Sequence, residues 1–517
     1  MRVILVLIFI LSTTVIRSQN ISGIINLYSP VIDIQCNTIT VQDIGLFSVN
    51  DKVMIIQMKG ATVDVSNTSS SGDIINLNNA GNYEIATVIS SNANNVVIAN
   101  PLLQSYNLNQ KVQLIKVPEY ANATVIAPLQ ALAWDGVKGG VIALICSGTL
   151  TLNSNIDASG TGYNGGAITP DFFNCGDFNY INTGGFKGES IVDVSITTPT
   201  GRGKWAAGGG GGNPGNSGGG GGALASSGGL GGNEYSGCGT SGIQGIGGAS
   251  IPFSNSKMFM GSGGGGGYGD NGSAITPGSK GGGIVFIKAN TLDGNNNTIL
   301  AEGLNQSIQA TDESAGGGGS GGSVYLDVIS FPTPISITTK GGDGGDTYNN
   351  IFTFDCHGTG GGGSGGYLAF SQSSLPATVT YLANGGTAGL VLNPSSSCYN
   401  TTFGATNGGN GTTVFNLSVP LSNLPLPIVS LGNDTSVCLS NSFTITAPLG
   451  YASYVWNTTE TTQSININTA DTFILQVSDA NFCVATDSII VTQIVPSLSN
   501  PLNDTIVCEN EFVSFIA

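Results

Sequence analysis

His357 is the single histidine of the 517-residue chain, and it lies in the glycine-bounded stretch FDCHGTGGGG. A lyase acting on an acidic sugar needs a base, and cations to hold the negative charge that develops. Against that need the chain offers His357 and, beyond residue 18, one arginine, Arg202. A lone histidine beside a glycine turn reads as structural or surface-exposed. A glycoside hydrolase instead needs two carboxyl groups facing one cleft. Ser159, Glu302, Lys340 and Asn384 occupy matched places, each just before the glycine that closes a repeated segment, and Asp157 shares the parity of Ser159. Stacked in register they would make an external ladder of mixed polarity with one carboxylate among four, which an ordinary wet face also provides.

GGDGGD at 341–346 matches the G-G-x-G-x-D loop of calcium-binding β-rolls, in which carbonyl and Asp oxygens surround the ion. Such sites need tandem copies on adjacent coils, and one copy is present. A plain Gly-Asp turn is the expectation, with calcium as the alternative. No catalytic, cofactor-binding or metal-binding residue is assigned, and the chain is not expected to be an enzyme.

The element that must carry these residues is a segment written four times, at 140–160, 283–303, 322–341 and 366–385. Each copy opens on glycines, runs through a short apolar strand (141–145, 284–287, 324–326 and 367–370), passes a polar bend, and closes on a second strand before another glycine. The closing strands centre on Ile156, Ile299, Ile337 and Tyr381 and alternate with a period of two. A unit this short cannot bury its own apolar face, so copies must stack. The expected fold is all-β, with a parallel β-helix-like glycine-rich solenoid over 134–412. Glycine runs at 208–212, 218–222 and 263–267 interrupt it. They are read as ordered, because glycine lets backbone approach backbone and stacked polyproline-II-like strands would use that freedom. Floppy loops are the alternative. Trp134 and Trp205, beside glycine turns, read as core wedges and not as a sugar platform.

Residues 1–18 read as a signal peptide: Arg2, an apolar core at 3–11, and Ser18 before a cut at Gln19. The rest is expected to be exported. Residues 19–133 are β-rich without long glycine runs and are placed as a cap on the solenoid. Its strand at 53–58 carries Val53, Ile55 and Gln57 on one face and Met54, Ile56 and Met58 on the other, so it is buried or docked on the solenoid's end. A proline-bearing linker spans 413–427. An immunoglobulin- or PKD-like β-sandwich follows at 428–495, with Trp456 between Cys438 and Cys483, which could clip an early strand to a late one. DTIVC at 504–508 repeats DTSVC at 434–438, so 496–517 reads as the start of a second such domain.

Acidic residues number 31 against 14 basic ones, a formal net charge of −17, which excludes nucleic-acid binding. Nine cysteines in an exported chain permit disulfides. The pairing of Cys36, Cys146, Cys175, Cys238, Cys356 and Cys398 stays open.

The stretches IIQMKGA at 55–61, GRGKWAAGGGGGNPGNSGGGGG at 201–222, and LGNDTSVC with YVWNTTETTQSI between 431 and 465 resemble large secreted surface proteins of gliding and related Bacteroidetes. That resemblance implies a glycine-rich N-terminal region, tandem immunoglobulin or PKD-like repeats, and a C-terminal gliding-associated sorting domain read by the type IX secretion system. It further implies a gliding adhesin or filament component at the cell surface, whose partners are other surface proteins, copies of itself, extracellular glycans and the secretion machinery. The alternative is a β-helical carbohydrate-active enzyme or carbohydrate-binding protein.

Overall fold

Val141–Leu152, Ile284–Asp293, Ser323–Ser330, Tyr367–Phe370 and Thr412–Phe415 lie side by side in one parallel row. The register runs Val141, Ile284, Ser323, Tyr367, Thr412, so the opening strands stack residue on residue. The closing strands Ile156–Asp157, Thr298–Leu300, Ile335–Thr338 and Val379–Leu382 form a second parallel row. Ala123–Gln130 joins the rows by pairing with both Val141–Leu152 and Ile156–Asp157. The result is a strongly curled, β-helix-like parallel sheet of 12 strands. The structure is a computed structural model that describes residues 18–494, apart from 171–172, 194–198, 271–273, 352–353 and 438–441. Most of the signal peptide and the expected second sandwich at 496–517 lie outside the described residues.

Alternation within the opening strands explains why both of their faces are apolar. Ile142, Leu144, Val285, Ile287, Val324, Leu326, Leu368 and Phe370 point into the coil and share a core with Ile156, Ile299 and Ile337. Val141, Ala143, Ile284, Phe286, Tyr325 and Tyr367 point outward into a second core with Met54, Ile56 and Met58. Strands buried on both faces read as continuous apolar runs.

Those methionines belong to a closed antiparallel barrel built from Tyr28–Gln35, Thr38–Val41, Lys52–Gln57, Tyr83–Asn92, Asn95–Ile98 and Val112–Val117. Val53 and Ile55 fill its interior. The strand is buried, but the barrel sits on the flank of the solenoid and not on its end. Gln19–Gly23 covers the N-terminal end instead, laid parallel on Ala123–Gln130.

The glycine runs form the third body. After each closing strand the chain leaves the sheet, turns, and returns to the next opening strand along glycine-rich segments such as 314–322 and 357–366. Successive N–H groups of one segment donate to three neighbours in rotation. Gly218 reaches Gly232 O, Gly219 reaches Ala315 O and Gly220 reaches Gly210 O; Gly221, Gly222 and Ala223 then repeat the cycle to Gly229, Gly318 and Ala207. A helix with three residues per turn and no internal hydrogen bonds offers its donors in this way. The runs are therefore a bundle of polyproline-II-type helices in two-dimensional array, and their backbone groups are satisfied by one another.

The C-terminal β-sandwich pairs Thr435–Val437, Val484–Gln493, Asp471–Ser478 and Ser453–Trp456 in one sheet, and Phe443–Thr446 with Ser464–Ile467 in the other. Trp456 lies in its core with Phe473, Leu475 and Val477.

Candidate functional site: the loop cluster at the far end of the glycine bundle

The turns between outgoing and returning glycine helices lie at the end of the bundle away from the sheet. Two disulfides tie them, Cys175–Cys238 and Cys356–Cys398. Ser236 N–H donates to Cys356 O (2.9 Å) and Cys356 N–H to Ser236 Oγ (3.0 Å), which joins the two bonded pairs. An aromatic chain runs through the cluster. The Phe173 and Tyr235 rings are 6.0 Å apart, and Tyr235 meets His357 edge-on at 5.2 Å. Tyr235 donates its hydroxyl to Asp355 Oδ2 (3.0 Å). Asp312 Oδ1 accepts the N–H groups of Asn350 (2.7 Å) and Ile351 (2.9 Å) and so fixes the neighbouring turn. Ile168, Phe178, Ile351, Phe354 and Tyr399 stand exposed on these loops.

His357 is buried and not on the surface. Its Nδ1 has no hydrogen-bond partner. Burial holds its pKa below the ordinary imidazole value, opposed by Asp355, Asp312 and Asp270. Because the folded chain binds this proton less readily than the unfolded chain, stability falls as pH drops through about 6.5 and levels off below the folded pKa. Chemical denaturation at pH 7.5 and pH 5 should show this loss in the native chain and a smaller loss in His357→Phe.

The four ladder residues do stack. Gly160 N–H donates to Glu302 O, Gly303 N–H to Lys340 O and Gly341 N–H to Asn384 O. Ser159 Oγ accepts from Glu302 N–H (3.1 Å), and Lys340 Nζ stands 3.9 Å from Glu302 Oε1 on a partly exposed face. Asp157 Oδ1 is taken by Ser159 N–H (2.8 Å). The ladder brings one carboxylate beside one ammonium, a wet pair worth little.

The GGDGGD carboxylates serve the next coil. Asp343 Oδ1 accepts from the Thr387 N–H (2.6 Å) and hydroxyl (2.8 Å), and Asp346 Oδ1 from Leu390 N–H (2.7 Å). No group of three His, Cys, Asp or Glu that could hold a metal occurs among the described residues. Asp346→Ala should cost about 1.5–3 kcal/mol through the lost charged hydrogen bond. Thermal melts should show the same drop with added calcium as with a chelator.

Trp134 and Trp205 are both buried. Trp134 Nε1–H donates to Glu189 Oε1 (3.0 Å). Trp205 lies against the Gly208 backbone, with Lys187 Nζ 5.4 Å from its ring centre. Burial pushes the Lys187 ammonium down to about 8.

The expectation that Cys438 pairs with Cys483 is overturned, because Cys483 is bonded to Cys36 of the barrel. Cys438 lies outside the described residues. Cys146 is buried and free on the inward side of its strand. Sequence reasoning missed the loop cluster because its members come from separate turns, bridged at separations of 42, 63 and 120 residues; the two disulfide cysteine pairs were its one visible sign.

Among the described residues no helix is long and apolar enough to cross a membrane. No family model matches the chain, and no curated protein does. Among solved structures the tailspike protein gp49 from Pseudomonas phage LKA1 is similar at 11% identity over 91% of this chain and 82% of that one, with a TM-score of 0.14, a superposition too loose to bear on fold or function.

Proposed function

We propose that the chain is an extracellular structural and adhesive protein, a stiff arm that holds a disulfide-tied loop cluster away from the body of the molecule and performs no catalysis. One observation carries this reading: among the described residues, turns of separate glycine-rich excursions, around 175, 235–238, 355–357 and 398, are tied to one another in that cluster, so the array of backbone hydrogen bonds serves to position its loops. Disulfides persist in oxidising compartments, which supports a place outside the cytoplasm. The likeness of the sequence stretches to gliding-type surface proteins supports type IX export and partners among other surface proteins, further copies and glycans.

A second reading, a carbohydrate-binding or carbohydrate-active β-helical protein, is favoured by exposed Phe178, Phe354 and Tyr399 beside exposed Asn179, Asn350 and Asn400. Aromatic faces with adjacent amides suit a sugar ring. The full chain and the double variant Ile351→Ser/Phe354→Ser should be compared for attachment to cells and to a glycan panel. Attachment should weaken by at least about tenfold with the melting temperature unchanged. Attachment untouched by the variant would remove the loop cluster from the reading, and measurable glycan turnover would replace adhesion with the second reading.

A further inference from the structure

Where the barrel, the solenoid and the glycine bundle meet, three side chains from distant parts of the chain converge. Lys59 follows the barrel strand Lys52–Gln57; Asn164 and Glu189 lie on neighbouring glycine-rich segments, paired by the Glu189 N–H to Asn164 O bond (2.9 Å). Lys59 Nζ is 2.7 Å from Glu189 Oε1, and the two side chains are only 3% and 14% exposed. Asn164 Nδ2 donates to Glu189 Oε2 (2.8 Å). One carboxylate therefore holds an amine on one oxygen and a carboxamide nitrogen on the other. Trp134 and Tyr163 enclose the group, edge to face at 5.8 Å, with Met58 and Ile191 in the same core. The Tyr163 hydroxyl is occupied by Met58 O and the Trp134 N–H by Glu189 Oε1.

We propose that Lys59 and Asn164 become joined by an intramolecular isopeptide bond, formed with Glu189 as the proton-transfer group. Glu189 takes a proton from the Lys59 ammonium, and the freed Nζ attacks Asn164 Cγ. Glu189 returns that proton to Nδ2 as the Cγ–Nδ2 bond breaks. The second Nζ proton leaves with the departing ammonia as ammonium. The products are one Nζ–Cγ amide, one ammonium ion and the original carboxylate, so atoms and charge balance with no oxidant or other reactant. Positioning supplies most of what such a reaction lacks in water, since one carboxylate holds the amine on one oxygen and the carboxamide on the other.

The environment also drives the step. A buried ammonium is costly even when paired, and the product replaces it with a neutral amide whose N–H still faces Glu189. The remaining carboxylate keeps the Trp134 N–H and the Asn164 backbone N–H (3.0 Å) as donors. The bond would fasten the barrel covalently to the glycine bundle that carries the loop cluster. This holds whether the cluster grips a protein or a sugar.

The test is peptide mapping by mass spectrometry of the full-length folded chain after reduction and alkylation. A branched peptide carrying both Lys59 and Asn164 should appear, lighter than its two parts by one ammonia. The branched peptide is the proper readout, because an N-terminal Gln19 can also lose ammonia by cyclising. Lys59→Arg keeps a cation on Glu189 and should fold, yet give no branched peptide. Asn164→Asp should still give the bond, now by loss of water. Separate, unmodified Lys59 and Asn164 peptides as the sole products from native protein would overturn the proposal, as would a branched peptide that persists undiminished in Glu189→Ala.

Discussion

Gly221→Ala should destabilise the chain by more than about 3 kcal/mol, although it adds a single methyl group to the commonest residue of the sequence. Gly221 sits inside the helical array, donating to Gly229 O while a Cβ built on it would fall onto the Gly362 carbonyl oxygen and carbon, far inside van der Waals contact. The obstacle is backbone and not the end of a flexible side chain. Gly362 is itself held, because its N–H donates to Thr406 O and its carbonyl accepts from Gly229. Relief at one position thus breaks hydrogen bonds at the next, and the cost spreads through the array. Gly45 is the comparator: it has a φ of +74° and nothing within 4 Å of a built Cβ. Gly45→Ala should cost only the left-handed backbone penalty, about 1–2 kcal/mol. Thermal melts and protease resistance of residues 201–411 should separate the two variants. Equal losses would mean that the glycine helices are not packed backbone to backbone.

That array shows what the sequence could and could not disclose. Four apolar strands flanked by glycine announced stacking, and the observed rows join the same residues, Val324 over Val285 and Ile337 over Ile299. A run of five glycines carries no internal pattern, so the rotation of its donors among three neighbours is invisible in the letters. It becomes definite only when the buried Ser217, Ser262, Ser320 and Ser364 are seen to fit between the runs. The strand Thr412–Phe415 reads from the letters as part of the proline-bearing linker and not as a fifth opening strand, because no closing strand follows it and two of its four residues are threonine. The letters place Ala123–Gln130 in the cap because its surroundings lack glycine, yet it pairs with both rows.

The site was harder to read than the fold for a physical reason. A period of two or a glycine before a strand is local, while the loop cluster and the Lys59, Glu189 and Asn164 group are made by tertiary closure. Each of those three residues is ordinary in its own stretch. His357 is the instructive case: its neighbours in sequence said only that it stood by a flexible turn, whereas Tyr235, which packs against it, comes from a different excursion.

Replacing both Cys36 and Cys483 by serine should free the sandwich while leaving the rest of the molecule folded. Cys36 occupies the turn between Tyr28–Gln35 and Thr38–Val41, with φ at 54°, and Cys483 closes the sandwich turn that begins at Asp479. Beyond the disulfide, the contact between barrel and sandwich includes the Cys36 N–H to Asn481 O bond (3.0 Å) and a shallow cavity of about 180 Å³ lined by Ile34, Leu102, Tyr106 and Phe482. Phe482 remains 74% exposed there, so little apolar area is gained by docking. Each side has its own core, Val53, Ile55 and Leu114 in the barrel and Trp456, Phe473 and Leu475 in the sandwich. The bond therefore sets position more than stability. The last firm anchor before the sandwich is Ser422, which accepts from no sandwich group but bonds Ile85, Asn100 and Pro101 of the barrel side. From there the chain to the first sandwich strand is a short tether, which keeps the two parts near one another only at an effective concentration of about millimolar. Protease should then cut within 423–427 at least about tenfold faster than in the native chain, releasing an intact sandwich. Small-angle scattering should show the distribution of shapes widen, and the main thermal transition of solenoid and glycine bundle should stay in place. Substituting both cysteines, and not one, leaves no unpaired thiol at this joint. A double variant as compact and as protease-resistant as the native chain would show that surface contact alone holds the sandwich, and that the covalent tie across 447 residues is redundant.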